Sequence, residues 1–235
     1  MQNKKSAPIG IIGAMQIEIE GLKKEMTGIT EEVISGVRMT RGLLGGREVV
    51  CAVCGVGKVF AAIAAEAMIL RYGVCALLNT GVAGGLAEGL CVGDIVIARD
   101  VVQHDMDTSP LGDPVGLLSG INVVSIPTDA ALCAALVRAA EACGLSPVLG
   151  RVASGDQFIA SEAQKARIKE QFDAAACEME GGSIAQVAFI NDTPFAVIRA
   201  ISDSADGEAT MDYPTFMPIA AGISTELTSA LVREY

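Results

Sequence analysis

Short apolar runs rich in isoleucine and valine alternate with helical patterns from one end of the chain to the other. The runs of strand length cover residues 9–13, 49–53, 76–80, 94–98, 150–154, 176–179 and 195–201. The stretches with helical periodicity cover residues 17–26, 58–72, 129–143, 162–172, 182–190 and 215–233. This alternation predicts βα units, in which helices cover a largely parallel sheet.

Two segments depart from that alternation. Residues 33–47 are more polar and carry four glycines at turn positions, which predicts an antiparallel hairpin joined to the sheet. Residues 104–127 form a long irregular stretch with several prolines and glycines, and a loop of that length usually serves function or an interface. The 235 residues suit one large core, so we predict a single domain over 1–235, with residues 1–7 disordered.

Composition indicates a core rather than a membrane span. Hydrophobic residues make up 51% of the chain, but the long apolar runs are interrupted by charges, glycine or proline, so we expect no membrane helix. The apolar run after Lys4 and Lys5 ends at Gln16 and Glu18 without a cleavage site, so we do not expect export. Seven cysteines, an odd number placed mostly in apolar segments, suggest reduced thiols and a cytoplasmic location.

Charge limits the partners. A net charge of −11 and a pI near 4.6 disfavour nucleic acid and anionic membranes, which leaves small molecules. Cys51 and Cys54 have the spacing of a metal or redox pair, but they lie in a strand-like run and His104 is the only histidine, so we interpret them as core residues. We interpret His104 as structural and expect Asp156 to bond backbone amides rather than to catalyse.

Five polar or glycine-rich segments lie at the ends of predicted strands, and in open α/β sheets the loops at that edge converge over a ligand crevice. The segments are residues 10–18, 79–85, 154–159, 178–182 and 199–206. The sequence therefore predicts one pocket built by five loops. Gly55-Val-Gly57-Lys58 matches neither the dinucleotide fingerprint nor the phosphate loop of nucleotide triphosphatases.

Two carboxylates stand at the mouths of apolar strands, where an unpaired charge is costly. Glu180 follows the run that ends at Met179, and Asp203 follows the run that ends at Ser202. Either each carboxylate meets a ligand with a shifted proton affinity, or each caps the next helix; the residues alone leave both readings open.

Taken together, GIIGAM with Glu18, NTGVAGGL, SGDQFI, CEMEGG and VIRAISDSAD resemble, across nearly the whole chain, the 5′-methylthioadenosine/S-adenosylhomocysteine nucleosidases of the nucleoside phosphorylase superfamily. The resemblance implies a three-layer α/β/α fold with a central mixed, mostly parallel sheet. It also implies a homodimer, no cofactor, and hydrolysis of the bond between adenine and ribose.

The resemblance assigns the chemistry to five residues. It makes Glu18 the base that activates water, with Arg199 in the nearby network of water and carboxylates. Glu180 would bind the ribose hydroxyls and stabilise the developing cation. Asp203, assisted by Ser202, would protonate adenine N7.

The resemblance also assigns the walls of the pocket. Phe158 would stack on the purine and the Ile159 backbone would bind its edge. The ribose and 5′-thioalkyl side would be lined by Met15, Met179 and Tyr213, and the remaining substrate-binding positions are Val82, Ala83 and Gly84. Leu111, in the long loop, would reach the pocket of the partner subunit.

The reaction explains these residue types. Adenine leaves readily only when N7 is protonated, so a carboxyl kept protonated near neutral pH by apolar surroundings is worth about a hundredfold or more in rate. The ribosyl centre becomes cationic, and a buried anion stabilises it best where water is excluded.

One position departs from the family, which usually has serine where this chain has Val82. Losing one such hydrogen bond costs about 0.5–1.5 kcal/mol, so it would alter rate or substrate preference without abolishing the reaction. Three alternatives remain: a purine nucleoside phosphorylase, a nucleosidase for another 5′-substituted adenosine or futalosine-type nucleoside, and a non-catalytic nucleoside sensor. A phosphorylase needs arginines around phosphate, and a sensor would be expected to lack one of the three carboxylates.

Overall fold

The computed structural model describes residues 7–203 and 209–234, apart from the side chains of residues 209–214. The strands are β1 Ile9–Gly13, β2 Thr27–Ile34, β3 Val37–Leu44, β4 Arg47–Val53, β5 Ala76–Gly85, β6 Ile95–Gln103, β7 Ser125–Pro127, β8 Val148–Ser154, β9 Ala174–Glu178 and β10 Phe195–Asp203. The helices are α1 Gln16–Glu25, α2 Lys58–Tyr72, α3 Ala130–Ala142, α4 Glu162–Phe172, α5 Gly181–Ile190 and α6 Ala209–Glu234.

A single mixed sheet contains all these strands, in the order β10-β6-β8-β9-β5-β1-β4-β3-β2, with β7 beside β6. Strand β5 bonds to three others: in parallel to β1 and β10, and through Gly84 and Gly85 antiparallel to β9. Strands β5, β10, β6, β8 and β9 therefore close into a ring, and β1, β4, β3 and β2 extend from it as an open arm. β5 is the strand at which the two parts meet.

Helices cover the sheet on both faces. On one face Leu22 of α1, Leu136 of α3 and Leu227 of α6 pack with sheet residues in one buried cluster. On the other face Met68 of α2 and Ile184 of α5 pack in a second cluster. Helix α4 covers β8 and β9 with its own small cluster. The predicted central mixed sheet between helical layers is confirmed.

Local sequence explains the main boundaries. The nine residues of β10 are all buried, as expected for a strand covered on both faces. Helix α3 begins at Asp129, whose carboxylate accepts hydrogen bonds from the amides of Ala131 and Leu132. Helix α2 ends at Gly73, whose φ of 59° suits glycine at a left-handed C-cap.

The predicted hairpin lies in the right region but is longer than expected. Strand β2 already begins at Thr27, and its turn at Ser35 and Gly36 has φ values of 49° and 81°. Nearly every side chain of β2 is exposed, so no apolar alternation marks it in the sequence. The strand β7 lies inside the stretch predicted to be irregular. It was missed because three residues are too few to show an apolar alternation.

Strands β5 and β10 run further than predicted. β5 continues to Gly85 and β10 to Asp203, so the polar residues expected in loops after these strands belong to the strands themselves. The two extensions pair with each other from Gly81 to Gly84 on β5, which keeps both in the sheet beyond their apolar runs. Helix α6 begins at Ala209, before the predicted start at residue 215. The predicted disorder of residues 1–7 falls almost entirely outside the described residues.

The segment Thr215–Glu234 of α6 has the length and composition of a membrane span, with a mean hydropathy of 1.2, although Pro218, Gly222 and Glu226 interrupt its apolar run. Half of this segment is buried within the fold, and Ala220, Leu227 and Leu231 are completely buried against the sheet and neighbouring helices. Its apolar residues therefore form the core of one helical layer.

Replacing Leu227 with alanine tests that role. Leu227→Ala should lower the free energy of unfolding by about 2–5 kcal/mol, because it opens a cavity under α6. The exposed Ile219 of the same helix is the control, and Ile219→Ala should change stability by about 0.5 kcal/mol or less. Urea denaturation measures both; equal effects at the two positions would contradict the packing described for α6.

Candidate active site

A cavity opens where β1, β5, β8, β9 and β10 end. Eleven of the residues predicted for the site line it: Met15, Glu18, Val82, Ala83, Gly84, Phe158, Ile159, Met179, Glu180, Ser202 and Asp203. Arg199 does not line the cavity, and the side chain of Tyr213 lies outside the described residues. Five further lining residues were not predicted: Ala14, Val56, Gln157, Cys177 and Glu178.

Glu18 lies in the first turn of α1, where the helix dipole favours a negative charge. Backbone amides hold its carboxylate in place. One carboxylate oxygen accepts from the amides of Ala14 at 2.7 Å and Met15 at 2.9 Å, and the other from Val82 at 3.1 Å. A β-carbon at Gly81 would lie 2.5 Å from Glu18 Oε1, so the carboxylate occupies the space that this glycine leaves. Burial raises the pKa of Glu18, opposed by these amides and by Arg199.

The contact between Glu18 and Val82 bears on the position where the family usually has serine. Val82 donates its backbone amide to Glu18, and a valine supplies that amide as well as a serine does. The side chain of Val82 is half-buried and packs with the apolar cluster beneath α1 and α6. Valine in place of serine therefore keeps the backbone hydrogen bond to Glu18.

Glu178, at the end of β9, forms a buried ion pair with Arg199. The same carboxylate accepts from the Ser154 hydroxyl and from the amides of Glu180 at 3.1 Å and Gly181 at 2.7 Å. Glu178 thus ties β8, β10 and the start of α5 together. The sequence signal is the first of the two carboxylates in the CEME motif, but only the tertiary structure shows that it meets an arginine.

Arg199 is 1% exposed and lies behind the cavity wall. It donates to the backbone oxygen of Asn79 at 3.3 Å, to the side-chain oxygen of Asn79, and to Glu178. The structure places it beside one carboxylate, that of Glu178; its hydrogen bonds go to Glu178, Asn79 and the Ile198 backbone, and its Nε has no partner among the described residues. Through space its charge lowers the pKa values of Glu18 and Glu180.

Glu180 stands at the start of α5 and is buried in the cavity wall. The amide of Gly57 donates to its Oε1 at 2.9 Å. Burial, followed by the neighbouring Glu178 carboxylate, raises the pKa of Glu180 to about 7, against the opposing effects of Arg199 and the Gly57 amide. The carboxyl group therefore sits near its titration point at neutral pH.

Asp203 ends β10 at the far side of the cavity and is buried. The hydroxyl of Ser202 donates to Asp203 Oδ1 at 3.0 Å. Gly84 of β5 lies alongside, and a β-carbon there would be 3.1 Å from Asp203 Oδ2 and 3.4 Å from the sulfur of Cys177. Gly81 beside Glu18 and Gly84 beside Asp203 are three residues apart, so roughly 10 Å of β5 separates the two carboxyl groups' points of contact.

Apart from Gln157, the rest of the wall is apolar. Phe158 is 50% exposed at the rim and Ile159 is buried beneath it. Cys177, near the end of β9, and Met179, just after that strand, also line the wall. Burial, followed by the charges of Asp203 and Glu178, raises the pKa of Cys177 to about 12, so its thiol stays protonated.

No arginine or lysine is among the described residues that line this cavity. Within residues 7–203 and 209–234 there is also no group of three histidine, cysteine, aspartate or glutamate side chains arranged to hold a metal ion. The chemistry that the described wall offers is that of carboxyl groups, backbone amides and an apolar surface. Such a cavity suits a neutral, flat, partly polar molecule such as a nucleoside.

The comparisons with known proteins agree with that assignment. Residues 8–233 match the model of the phosphorylase superfamily. A curated relative, the 5′-methylthioadenosine/S-adenosylhomocysteine nucleosidase of Shewanella pealeana, is 38% identical over 228 residues, covering 96% of this chain and 99% of the relative.

Two solved structures are similar over nearly their whole length. The Neisseria meningitidis 5′-methylthioadenosine/S-adenosylhomocysteine nucleosidase in complex with methylthio-immucillin-A has a TM-score of 0.94 at 35% identity, covering 97% of this chain and all of that one. The futalosine hydrolase of Helicobacter pylori also has a TM-score of 0.94, at 34% identity, covering 98% and 99%. The chain belongs to the phosphorylase superfamily and, within it, to the 5′-methylthioadenosine/S-adenosylhomocysteine nucleosidase family.

The raised pKa of Glu180 predicts a pH-dependent stability. Between pH about 4.5 and about 7 the folded protein keeps a proton on Glu180 that the unfolded chain has lost, so stability falls as pH rises through this window. The loss attributable to Glu180 should approach roughly 3 kcal/mol. Denaturant unfolding from pH 5 to pH 8 measures it, and Glu180→Gln should remove this part of the decline. An unchanged slope in the variant would contradict the assignment.

Proposed function

We propose that the protein hydrolyses the N-glycosidic bond of 5′-methylthioadenosine and S-adenosylhomocysteine, releasing adenine and the corresponding thioribose. The observation that carries the proposal is the convergence of Glu18, Glu180 and Asp203 from three separate segments on one apolar cavity. This is the arrangement that a dissociative glycosidic cleavage needs: a base, an anion for the cation and an acid. Membership of the nucleosidase family supports it.

In the proposed mechanism Asp203 donates a proton to N7 of adenine as the bond to ribose breaks. Ser202, which bonds Asp203 Oδ1, orients that carboxyl, and Phe158 and Ile159 hold the purine by stacking and by backbone contact. Glu180 binds the ribose hydroxyls and stabilises the positive charge that develops on the sugar. Its protonated fraction near neutral pH lets it donate to, or accept from, those hydroxyls.

Glu18 then deprotonates the water that attacks the ribosyl carbon. Three backbone amides fix the Glu18 carboxylate, so its orientation does not depend on substrate. Burial brings its pKa upward from the ordinary value, which makes it a better base than an exposed glutamate. We assign the sugar side of the cavity to Met15, Met179, Val82, Ala83 and Gly84, and Arg199 acts through its pair with Glu178. Tyr213, whose side chain lies outside the described residues, stays a proposed contact of the sugar.

Water is favoured over phosphate as the nucleophile. A phosphate dianion needs cationic donors, and the described residues that line the cavity present carboxylates instead. Arg199, the nearest buried cation, directs its bonds to Glu178 and Asn79. The wall would therefore repel phosphate.

The purified protein, assayed with 5′-methylthioadenosine and without phosphate, tests the reaction. We expect free adenine, and we expect Asp203→Asn to lower kcat by about 10²–10⁴-fold, because the amide cannot donate the same proton. Asp192→Asn, at a left-handed surface position that asparagine tolerates, is the control and should keep wild-type activity. Activity that appears only with added phosphate would identify a phosphorylase.

A futalosine-type nucleoside is the second candidate substrate, because the futalosine hydrolase of Helicobacter pylori is as similar in structure as the nucleosidase neighbour. The 5′ substituent separates the two substrates, while the adenine and ribose parts of the site serve both. Parallel assays with 5′-methylthioadenosine, S-adenosylhomocysteine and futalosine rank them by kcat/KM. A kcat/KM for futalosine at least tenfold higher would transfer the assignment to that substrate.

We further propose that the protein is a homodimer, one domain per subunit. Val59, Phe60 and Leu70 on α2 and Phe189 and Ile190 on α5 are exposed, and a groove that Leu70 helps to line lies beside them. An apolar surface of this extent usually marks an interface. Leu111, 83% exposed on the short 3₁₀ helix Ser109–Leu111, is positioned on a loop that we propose reaches the partner's cavity.

Leu70, 73% exposed, gives the test of that interface. Leu70→Asp should convert the dimer into a monomer in light scattering coupled to gel filtration, because a buried charge in the interface is left unpaired. The matched control is Leu149→Asp, an exposed leucine at the start of β8, which should remain dimeric. A wild-type protein that is monomeric at micromolar concentration would contradict the proposal.

We also propose a cytoplasmic location. All seven cysteines are free thiols, among them Cys51, Cys54 and Cys177 in the buried core. Reduced cysteines persist in the cytoplasm, where glutathione and thioredoxin keep thiols reduced.

A further inference from the structure

Three residues from three separate segments form a closed ring of hydrogen bonds beside the cavity, which we call the loop anchor: Lys58, Asp105 and Asp156. Lys58 begins α2, Asp105 follows β6, and Asp156 follows β8. None of the three lines the cavity, and the mechanism proposed above does not use them. The expectation that Asp156 bonds a backbone amide is confirmed here.

Each member of the loop anchor contacts both others. The Lys58 ammonium donates to Asp105 Oδ1 at 2.7 Å, and the Asp156 amide donates to Asp105 Oδ2 at 2.8 Å. The Lys58 amide donates to Asp156 Oδ1 at 2.8 Å, which places the Asp156 carboxylate at the N-terminus of α2. Asp105 therefore uses one oxygen for a cation and the other for the loop backbone.

Two of the three anchor side chains, those of Lys58 and Asp105, are largely shielded from water, whereas Asp156 is exposed. The side chains of Lys58 and Asp105 are 19% and 16% exposed. Lys58 makes a further bond to Gln103 at 3.1 Å, which fixes its ammonium from a second side. Charge-assisted bonds in such surroundings are stronger than those of an exposed pair. Together Lys58, Asp105 and Asp156 carry a net charge of −1, which the positive end of the α2 helix dipole partly offsets.

The floor under the loop is also specific. Gly155 lies against the imidazole of His104, and any β-carbon at residue 155 would collide with that ring. His104 is buried, and desolvation lowers its pKa, so the ring is neutral and packs as a flat surface. The loop that starts at Gly155 is thus supported from below by His104 and held at Asp156 by the anchor.

The anchor touches both halves of the site through adjacent residues. Two residues after Asp156 comes Phe158 at the cavity rim. One residue before Lys58 comes Gly57, whose amide donates to Glu180. The short segment from Gly57 to Lys58 therefore holds the Glu180 carboxylate with one amide and the loop of Phe158 with the next.

From this geometry we propose that Lys58, Asp105 and Asp156 are positioning residues that fix the loop of Phe158 and Ile159 for binding the adenine ring. The inference rests on the proposed function in so far as Phe158 and Ile159 contact adenine. It assigns the anchor to purine affinity and leaves the acid, the base and the backbone bond from Gly57 to Glu180 in place.

Asp105→Asn is the sharpest single change. An asparagine presents one oxygen and one amino group, so it cannot accept from both the Lys58 ammonium and the Asp156 amide. We expect the Kd for adenine, measured by titration calorimetry, to rise about tenfold, and the KM for 5′-methylthioadenosine to rise by the same factor. The kcat should stay within about threefold, because the loop binds substrate and transition state alike.

The matched control is Asp173→Asn, which removes a carboxylate paired with Arg99 on the surface at a left-handed position suited to asparagine. It should leave the adenine Kd and the KM unchanged. An equal rise in Asp173→Asn, or a folded Asp105→Asn protein whose adenine Kd stays within twofold of wild type, would overturn the proposal. A fall in kcat with unchanged KM and adenine Kd would overturn it as well.

Lys58→Met gives a second route if Asp105→Asn does not fold. It removes the ammonium but keeps the backbone amide and the aliphatic stem, and it should raise the adenine Kd to a similar extent. The double variant should bind adenine no more weakly than the poorer single variant, within about twofold, because either change opens the ring. Multiplying effects would show that the two residues act separately and would overturn the anchor.

Adenine binding separates this proposal from the proposed function. A wild-type protein that binds adenine and loses affinity in Asp105→Asn, yet cleaves no thioadenosine, would retain the anchor and reject the hydrolase. A protein that cleaves 5′-methylthioadenosine with the same KM in all variants would do the reverse. A wild-type protein that neither binds adenine nor cleaves 5′-methylthioadenosine would overturn both.

Discussion

The buried pair between Arg199 and Glu178 is the interaction on which the carboxylate arrangement depends. Three glutamates, Glu18, Glu178 and Glu180, lie in or behind one wall, and burying that much like charge without a cation is strongly unfavourable. Arg199 bonds only Glu178 directly and acts on the other two through space. Glu178 takes the neutralising contact, and Glu18 and Glu180 face the cavity with raised pKa values. The Arg199–Glu178 pair thus makes the buried carboxylates possible without itself taking part in the proposed reaction.

The same pair also constrains the backbone. Glu178 accepts hydrogen bonds from the amides at the start of α5, and Arg199 bonds Asn79 on β5, so the end of β9 is fixed relative to the middle of β10 and β5. Strand β5 is where these contacts meet, because it bonds to β1, β9 and β10. Its glycines Gly81 and Gly84 leave the space that Glu18 and Asp203 occupy. The fold and the site are therefore specified by the same short segment.

The sequence predicts the architecture well where burial is strong. Continuous apolar runs such as those of β1 and β10 indicate their strands, whereas the exposed β2 gives no alternation and is missed. The predicted ends of β5 and β10 come too early in the sequence, because glycines and polar residues there are typical of loops. Pairing between the two strands extends both of them. Local patterns do not contain that pairing, since it joins residues about 120 positions apart.

The site shows the same division. Residues directly in the cavity follow from the motifs, and eleven predicted ones lie there. Glu178 was missed because its role depends on an arginine of another strand. The Lys58–Asp105–Asp156 ring was missed for a similar reason, since its members come from three segments that are far apart in sequence. Residues that touch substrate leave local signals, and residues that hold them in place leave signals only in tertiary contacts.

The charge of the cavity explains why positioning matters here. A wall of carboxyl groups gains no affinity from ionic attraction to a neutral nucleoside, so binding energy must come from stacking, apolar contact and hydrogen bonds. Those interactions require a defined loop geometry. If Phe158 were mobile, each binding event would have to order it, and the lost conformational entropy would weaken binding. Fixing the loop with charged groups outside the cavity supplies that order without placing another charge beside Glu18, Glu180 and Asp203. Cations such as Lys58 contribute to binding while phosphate still meets an anionic wall.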